Sequence, residues 1–233
     1  MFDTRIAIVT GASRGLGRAL AAALAGAGWQ VVADGRTAAD LRTAATALGD
    51  GVHPVPGDVT DAAHRVALVT AADRLGGASL LINNAGILGP SPQPALAEYP
   101  LDVLRQVYEV NVVAPLALAQ LALPGLRERH GAIANITSDA AVEPYPGWGG
   151  YGSAKAAVEQ VGRVLAAEEP AVRVWSVDPG DMRTRMHQEA YPGEDISDRP
   201  TPETVAPGLL RLLATAPASG RIRLADLVAE VPA

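Results

Sequence analysis

Cysteine is absent from the 233 residues, which excludes disulfides and thiolate chemistry; the expected location is a reducing cytoplasm. Rings are scarce, 4% of the chain against 48% hydrophobic residues overall, so the core must be built from Ala, Val and Leu. No basic cluster stands out, and 25 acidic residues outnumber 19 basic ones, so neither a nucleic-acid nor an anionic-membrane surface is expected. The 4 histidines include no closely spaced pair, and no metal-ligand cluster is expected. No apolar run is expected to reach the roughly 18 residues that span a bilayer. The N-terminus enters a strand-like segment without the charged stretch, apolar stretch and cleavage site of a secretory leader.

What is present is an alternation of short β-branched runs with Ala/Leu-rich runs. The runs at 5–10, 30–34, 52–56, 79–83, 132–137, 172–177 and 221–225 predict strands, with helices starting near Gly15, Ala38, Asp61, Leu101, Tyr151 and Thr201. Nearly continuous apolar strands are those buried on both faces. The pattern predicts one α/β domain over 1–233, a Rossmann fold with a doubly wound, seven-stranded parallel sheet and helices on both faces. Loops at 87–100, 139–150 and 185–200 follow strand ends or a ligand motif, so they are expected to form the mouth of a ligand site.

The first strand runs into Thr10-Gly11-Ala12-Ser13-Arg14-Gly15-Leu16-Gly17. Glycines at a strand-to-helix turn let the backbone approach a pyrophosphate, which then meets the unpaired N–H groups of the helix N-terminus. At the end of the second strand, where an acid would read the ribose hydroxyls of NAD, stands Gly35, followed by Arg36. Arg14 and Arg36 together suit a 2′-phosphate, so NADP(H) is expected in preference to NAD(H). Strand alternation should turn Asp34 away from this spot, and a register offset of one residue would reverse that. The alternative for Arg36 is a solvated surface charge.

Tyr151 and Lys155 are four residues apart on one helix face. An ammonium at about 4 Å and an effective dielectric near 20 attracts a phenolate by roughly 4 kcal/mol, about three pKa units. On that reasoning Tyr151 exchanges a proton near neutral pH. Ser138 follows the strand at 132–137 and can donate to a carbonyl oxygen. Asn111 interrupts an apolar helical stretch, either as a structural hydrogen bond or helix kink or as the holder of a relay water.

In order, TGASRGLG at 10–17, Asp58, NNAG at 83–86, Asn111, Ser138, the Tyr151/Lys155 pair and Pro179-Gly180 followed by Thr184 resemble the short-chain dehydrogenase/reductase family. The resemblance implies hydride exchange between NAD(P) and a ketone or aldehyde, or its alcohol, with Tyr151 as general acid/base. It implies that Lys155 tunes Tyr151 and holds the nicotinamide ribose, that Ser138 polarises the carbonyl, and that Asn111 completes the relay. The implied cofactor contacts are Gly11, Ser13, Arg14, Gly15, Leu16 and Gly17 in the loop and Arg36 beyond the second strand. Asp58 and Val59 would meet the adenine. Asn83 or Asn84 would line the adenine-ribose side with Ala85 and Gly86, and Pro179, Gly180 and Thr184 would meet the carboxamide. The resemblance also implies a homodimer or homotetramer packed through the helices near 101–126 and 151–168.

The chain departs from that pattern at three places. Its helix after Tyr151 stops abruptly at Glu168-Glu169-Pro170, Asp181 follows Pro179-Gly180, and the last strand lacks a glycine-rich close. Leu88, Gln93, Glu143, Tyr145, Trp148, Met186, His187 and Tyr191 are the expected pocket residues. Trp148 and Tyr145 either stack on a flat substrate or simply pack the loop. Asp139, Glu143, Glu189, Glu194 and Asp195 make the mouth acidic, which favours neutral or cationic substrates unless they are merely solvated. His187 is read as a packing residue. Two other functions remain open on the sequence: an NAD(H)-linked alcohol dehydrogenase, and a catalytically silent cofactor sensor, which would be expected to lose Ser138, Tyr151 or Lys155.

Overall fold

Each strand of the sheet sends alternate side chains to opposite faces, and both faces are covered. Ala7 and Val9 of β1 (Ile6–Val9) pack with Val31 of β2 (Gln30–Gly35) and Ile82 of β4 (Leu80–Asn83) on one side. Leu20 and Leu24 of α1 (Gly15–Gly26) and Leu41 of α2 (Ala38–Leu48) cover them. Ile6, Ile8, Val32 and Leu81 face the other side, under Leu68 of α3 (Ala62–Leu75) and Leu118 and Leu126 of α5 (Ala114–Glu128). A buried Leu or Ile contributes about 1.5–3 kcal/mol, so these two aliphatic layers hold the fold with few rings.

The structure is a computed structural model, and it describes residues 5–228. Seven parallel strands lie in the order β3-β2-β1-β4-β5-β6-β7, with β3 at Val52–Pro56, β5 at Ala132–Ile136, β6 at Arg173–Asp178 and β7 at Gly220–Arg223. The chain starts at the centre, winds out to β3, then returns to pair β4 with the other side of β1. That reversal leaves a crevice at the carboxyl ends of β1 and β4, where a ligand of a doubly wound sheet binds.

Several expected boundaries move. The last strand is Gly220–Arg223, and Leu224–Val228 turns into a short helix, α10. The helix carrying Tyr151, α6, begins earlier, at Gly149, and ends at Glu168. The expected loop at 185–200 opens with α7 (Arg185–Ala190), capped by Thr184 Oγ1, which accepts from His187 N at 3.2 Å. A helix this short has too few turns to show a period in the sequence. The helix expected from Thr201 is two pieces, α8 (Pro202–Val205) and α9 (Pro207–Thr215).

The expectation that no run is long and apolar enough to cross a membrane is corrected at the helical stretch Leu101–Glu128: its 28 residues include an 18-residue window with a mean hydropathy of 1.4, which passes by length and composition, with 44% of that window buried. It is nonetheless broken. α4 (Leu101–Tyr108) passes into α5 through a π turn at Glu109–Val113, where Ala114 N donates to Glu109 O. Pro115 supplies the reason. It has no N–H for the carbonyl of Asn111, four residues back, and its ring would collide with that carbonyl in a regular α-helix.

Candidate active site

A cleft of about 1040 Å³ occupies the crevice. Every residue expected to bind the cofactor lines it, from Gly11, Ser13, Arg14, Gly15, Leu16 and Gly17 through Arg36, Asp58, Val59, Asn84, Ala85 and Gly86 to Pro179, Gly180 and Thr184. Gly11 and Gly15 have φ of +66° and +54°, which side-chain-bearing residues rarely adopt. A Cβ on Gly17 would overlap the carbonyl of Gly11 and the amide of Asn84. Asn84 Nδ2 donates to Thr10 O at 2.8 Å, and Thr10 Oγ1 accepts from the backbone of Asn84 and Ala85, so the loop is stapled to the end of β4. Arg14 precedes α1 without a side-chain cap, leaving the first N–H groups of α1 for an anion. This cradle fits a pyrophosphate. Asn83, by contrast, stays in the sheet, donating to Asn135 Oδ1 at 2.8 Å; of the two asparagines only Asn84 reaches the cleft.

The end of β2 follows the alternation. Gly35 faces Ser13 and Leu41, while Asp34 turns to the α3 face. There its Oδ1 accepts from His64 Nε2 at 2.6 Å and its Oδ2 from Gly11 N at 3.1 Å. Arg14 and Arg36 are exposed along the cleft, and neither has an ion-pair partner among the described residues. Burial pushes the Asp58 carboxyl up, toward its protonated form. Bonds from Thr60 N and Oγ1, with the charges of Arg36 and His64, outweigh that and hold its carboxyl below the ordinary carboxylate value.

On the other wall, α6 places Tyr151 and Lys155 on one buried face. Lys155 Nζ donates to Ile136 O at 2.8 Å and sits 5.4 Å from the centre of the Tyr151 ring. The expectation that the ammonium depresses the phenol is corrected here. Burial, and then the charges of Asp139 and Asp178, push Tyr151 well above its ordinary value. Burial lowers Lys155 to about 8, against an upward pull from Glu159. Desolvation outweighs pairing because both groups are enclosed and Lys155 points over the ring rather than at the hydroxyl. Ser138 Oγ donates to Asp139 Oδ1 at 2.9 Å, and Asp139 also accepts from Tyr145 Oη at 3.0 Å.

Of the four expected catalytic residues, Ser138, Tyr151 and Lys155 line the cleft and Asn111 does not. Its Nδ2 donates to Ile87 O at 2.9 Å and its Oδ1 accepts from Ile87 N at 3.0 Å, so the side chain clamps the segment after β4 from behind. The kink read from the sequence is present, and the side chain serves a structural bond.

At the mouth, Trp148 lies edge-on to Tyr151 with centroids 5.9 Å apart, and Tyr191 packs against both Trp148 and His187. Leu88, Tyr145 and Met186 also line the cleft, whereas Gln93 and Glu143 do not. Of the expected acids, Glu194 and Asp195 stay outside, and Glu189 pairs with Arg185 at 2.7 Å. Asp181, singled out only as a departure, does line it. Among the described residues no group of His, Cys, Asp or Glu could hold a metal.

Sequence reasoning missed one cluster entirely. Arg221 on β7 pairs with Glu159 of α6 and with Asp178 at 2.7 Å, and donates to Ser138 O at 3.1 Å. Thr137 Oγ1 donates to Glu159 at 2.6 Å. The available signal was Glu159 itself, an acid one helical turn beyond Lys155 on a face destined for burial.

A glycine cradle at the switch point, facing a buried Tyr–Lys pair across one cleft, is the arrangement of a dinucleotide-dependent oxidoreductase. The family model described as short chain dehydrogenase matches residues 5–195, and the chain belongs to that family. It is an NAD(P)-dependent oxidoreductase. It is 42% identical over 198 residues to 1-deoxy-11-beta-hydroxypentalenate dehydrogenase of Streptomyces arenae, covering 79% of this chain and 69% of that one. Serine 3-dehydrogenase of Rhizobium radiobacter is 35% identical, covering 77% and 72%. Among solved structures, an alcohol dehydrogenase from Thermococcus sibiricus complexed with 5-hydroxy-NADP superposes with a TM-score of 0.85 at 27% identity, covering 95% of this chain and 96% of that one. A Shigella flexneri short chain dehydrogenase complexed with NADP gives 0.87 at 30% identity, covering 94% and 95%.

Proposed function

We propose that the protein is an NADP(H)-dependent enzyme that interconverts a ketone or aldehyde with its alcohol. The observation that carries the cofactor choice is the end of β2. Gly35 puts no carboxylate where an acid would bind ribose hydroxyls, and a side chain there would crowd Ser13 and Leu41; Asp34 is committed to the other face, and the unpaired Arg14 and Arg36 line the cleft.

The bound cofactor supplies the hydride. Tyr151, kept neutral by burial, is poised as the acid: its Oη gives a proton to the carbonyl oxygen as that oxygen gains charge, and recovers it from solvent through Lys155. Ser138 holds the substrate oxygen, exchanging its bond to Asp139 for one to the carbonyl. Asn111 serves the relay through its backbone carbonyl, to which Pro115, four residues on, has no N–H to give. The exposed Val113, Leu121 and Val164 on the outer faces of the π turn, α5 and α6 support a homodimer or homotetramer.

The test is a titration with NADPH and with NADH, read as energy transfer from tryptophan to nicotinamide. Tighter binding of NADPH is expected. Arg36→Ala should weaken NADPH by about 10–100-fold, the worth of charge-assisted hydrogen bonds, and NADH by far less. Equal losses would remove Arg36 from the 2′-phosphate site, and preference for NADH would overturn the assignment in favour of an NAD(H)-linked alcohol dehydrogenase. Binding of neither would revive a silent protein.

A further inference from the structure

Asp34 stands next to Gly35 in a pocket that the preceding reading gives to a 2′-phosphate. A carboxylate free to swing into that pocket would repel a phosphate and hydrogen-bond ribose hydroxyls instead. The fold prevents the swing in two ways. Gly11 N donates to Asp34 Oδ2 at 3.1 Å, and His64 Nε2 lies 2.6 Å from Oδ1, with both side chains almost fully enclosed, 6% and 3% exposed. A carboxylate only accepts, so Nε2 carries the proton. The imidazole has little room to move, because Gly57 lies against it and a Cβ there would overlap the ring. Gly57 is itself held to the end of β2, its N donating to Gly35 O at 3.1 Å.

We propose that His64 is a specificity-determining positioning residue: by clamping the Asp34 carboxylate on the α3 side of β2, it keeps negative charge off the 2′-phosphate pocket and so sets the preference for NADP(H). The inference rests on the NADP(H) reading above. His64 does not line the cleft. It acts through Asp34, and the glycine loop hangs on the same carboxylate through Gly11. Losing the clamp leaves Asp34 with one donor and a route to the ribose side.

The experiment compares NADPH and NADH dissociation constants in variants that differ in reach. His64→Gln extends an N–H toward Asp34 and should keep the wild-type ratio. His64→Asn is too short, and should shift the ratio by about tenfold or more toward NADH, as an uncompensated like charge near a phosphate does. His64→Asn with Asp34→Asn removes the charge and should return the ratio toward NADPH. An unchanged ratio in His64→Asn, or an equal loss of both cofactors, overturns the proposal while the NADP(H) reading stands. A double variant that keeps the shifted ratio also overturns it, since Asp34 would not be the carrier. A wild type with no preference for NADPH overturns both.

Discussion

Tyr151→Phe should lower the turnover of carbonyl reduction by about 10²–10⁴-fold, the usual contribution of a positioned general acid. Cofactor affinity and melting temperature should barely change. The Tyr151 hydroxyl makes no hydrogen bond within the described residues, and the ring keeps its edge contact with Trp148. The measurement is steady-state reduction of a carbonyl panel with NADPH, beside cofactor titration and thermal unfolding of the same preparation. Turnover within a few-fold of the wild type would remove Tyr151 as the acid. The wild-type pH profile carries a related expectation. Lys155 is protonated below about 8 and neutral above it. In the proposed reaction its ammonium recharges and steadies the Tyr151 phenolate, so kcat for reduction should fall as the pH rises through about 8. A rate that is flat from pH 7 to 9.5 would count against that role.

Arg221→Met should be the most destabilising single change near the site. It strands the Asp178 carboxylate, 6% exposed, without a counter-charge, and leaves Glu159, 2% exposed, with only Thr137 and the long contact to the exposed Arg163 at 3.4 Å. Removing one partner of a buried pair costs about 3–5 kcal/mol. In a chain of this size that is a fall in melting temperature of roughly 6–20 °C. Adding Glu159→Gln and Asp178→Asn to Arg221→Met should recover much of the loss, because no charge is then stranded. A loss under about 1 kcal/mol would show that water reaches the cluster and solvates it. The fall in activity with pH should also move upward in Arg221→Met, since Glu159, relieved of its guanidinium, pulls harder on the Lys155 proton.

The parts of this enzyme that could be read from the chain alone are local in sequence. Ile6–Val9 and the first three residues of Leu80–Asn83 announce themselves as continuous apolar runs because both faces of a parallel strand are buried. The glycine loop shows itself because three glycines in eight positions serve one tight turn. Tyr151 and Lys155 declare a shared face by a spacing of four. The turning-away of Asp34 was also legible, as the consequence of a two-residue period and a correct register. Asn111 was half legible: the kink came from its setting, but the clamp on Ile87 joins residues 24 positions apart and leaves no local trace.

By itself, then, the sequence determined the seven strands and the helices between them as far as α6, the place of the glycine cradle and the shared face of Tyr151 and Lys155, since each depends on periods and turns that span a few residues. Only the tertiary structure decided which charges meet. The sheet order carries Arg221 beside Glu159 across 62 positions and His64 beside Asp34 across 30. It also decided that burial would push Tyr151 up and Lys155 down. Desolvation and charge pairing are sums over neighbours in space, and a linear chain does not name those neighbours until the sheet is wound.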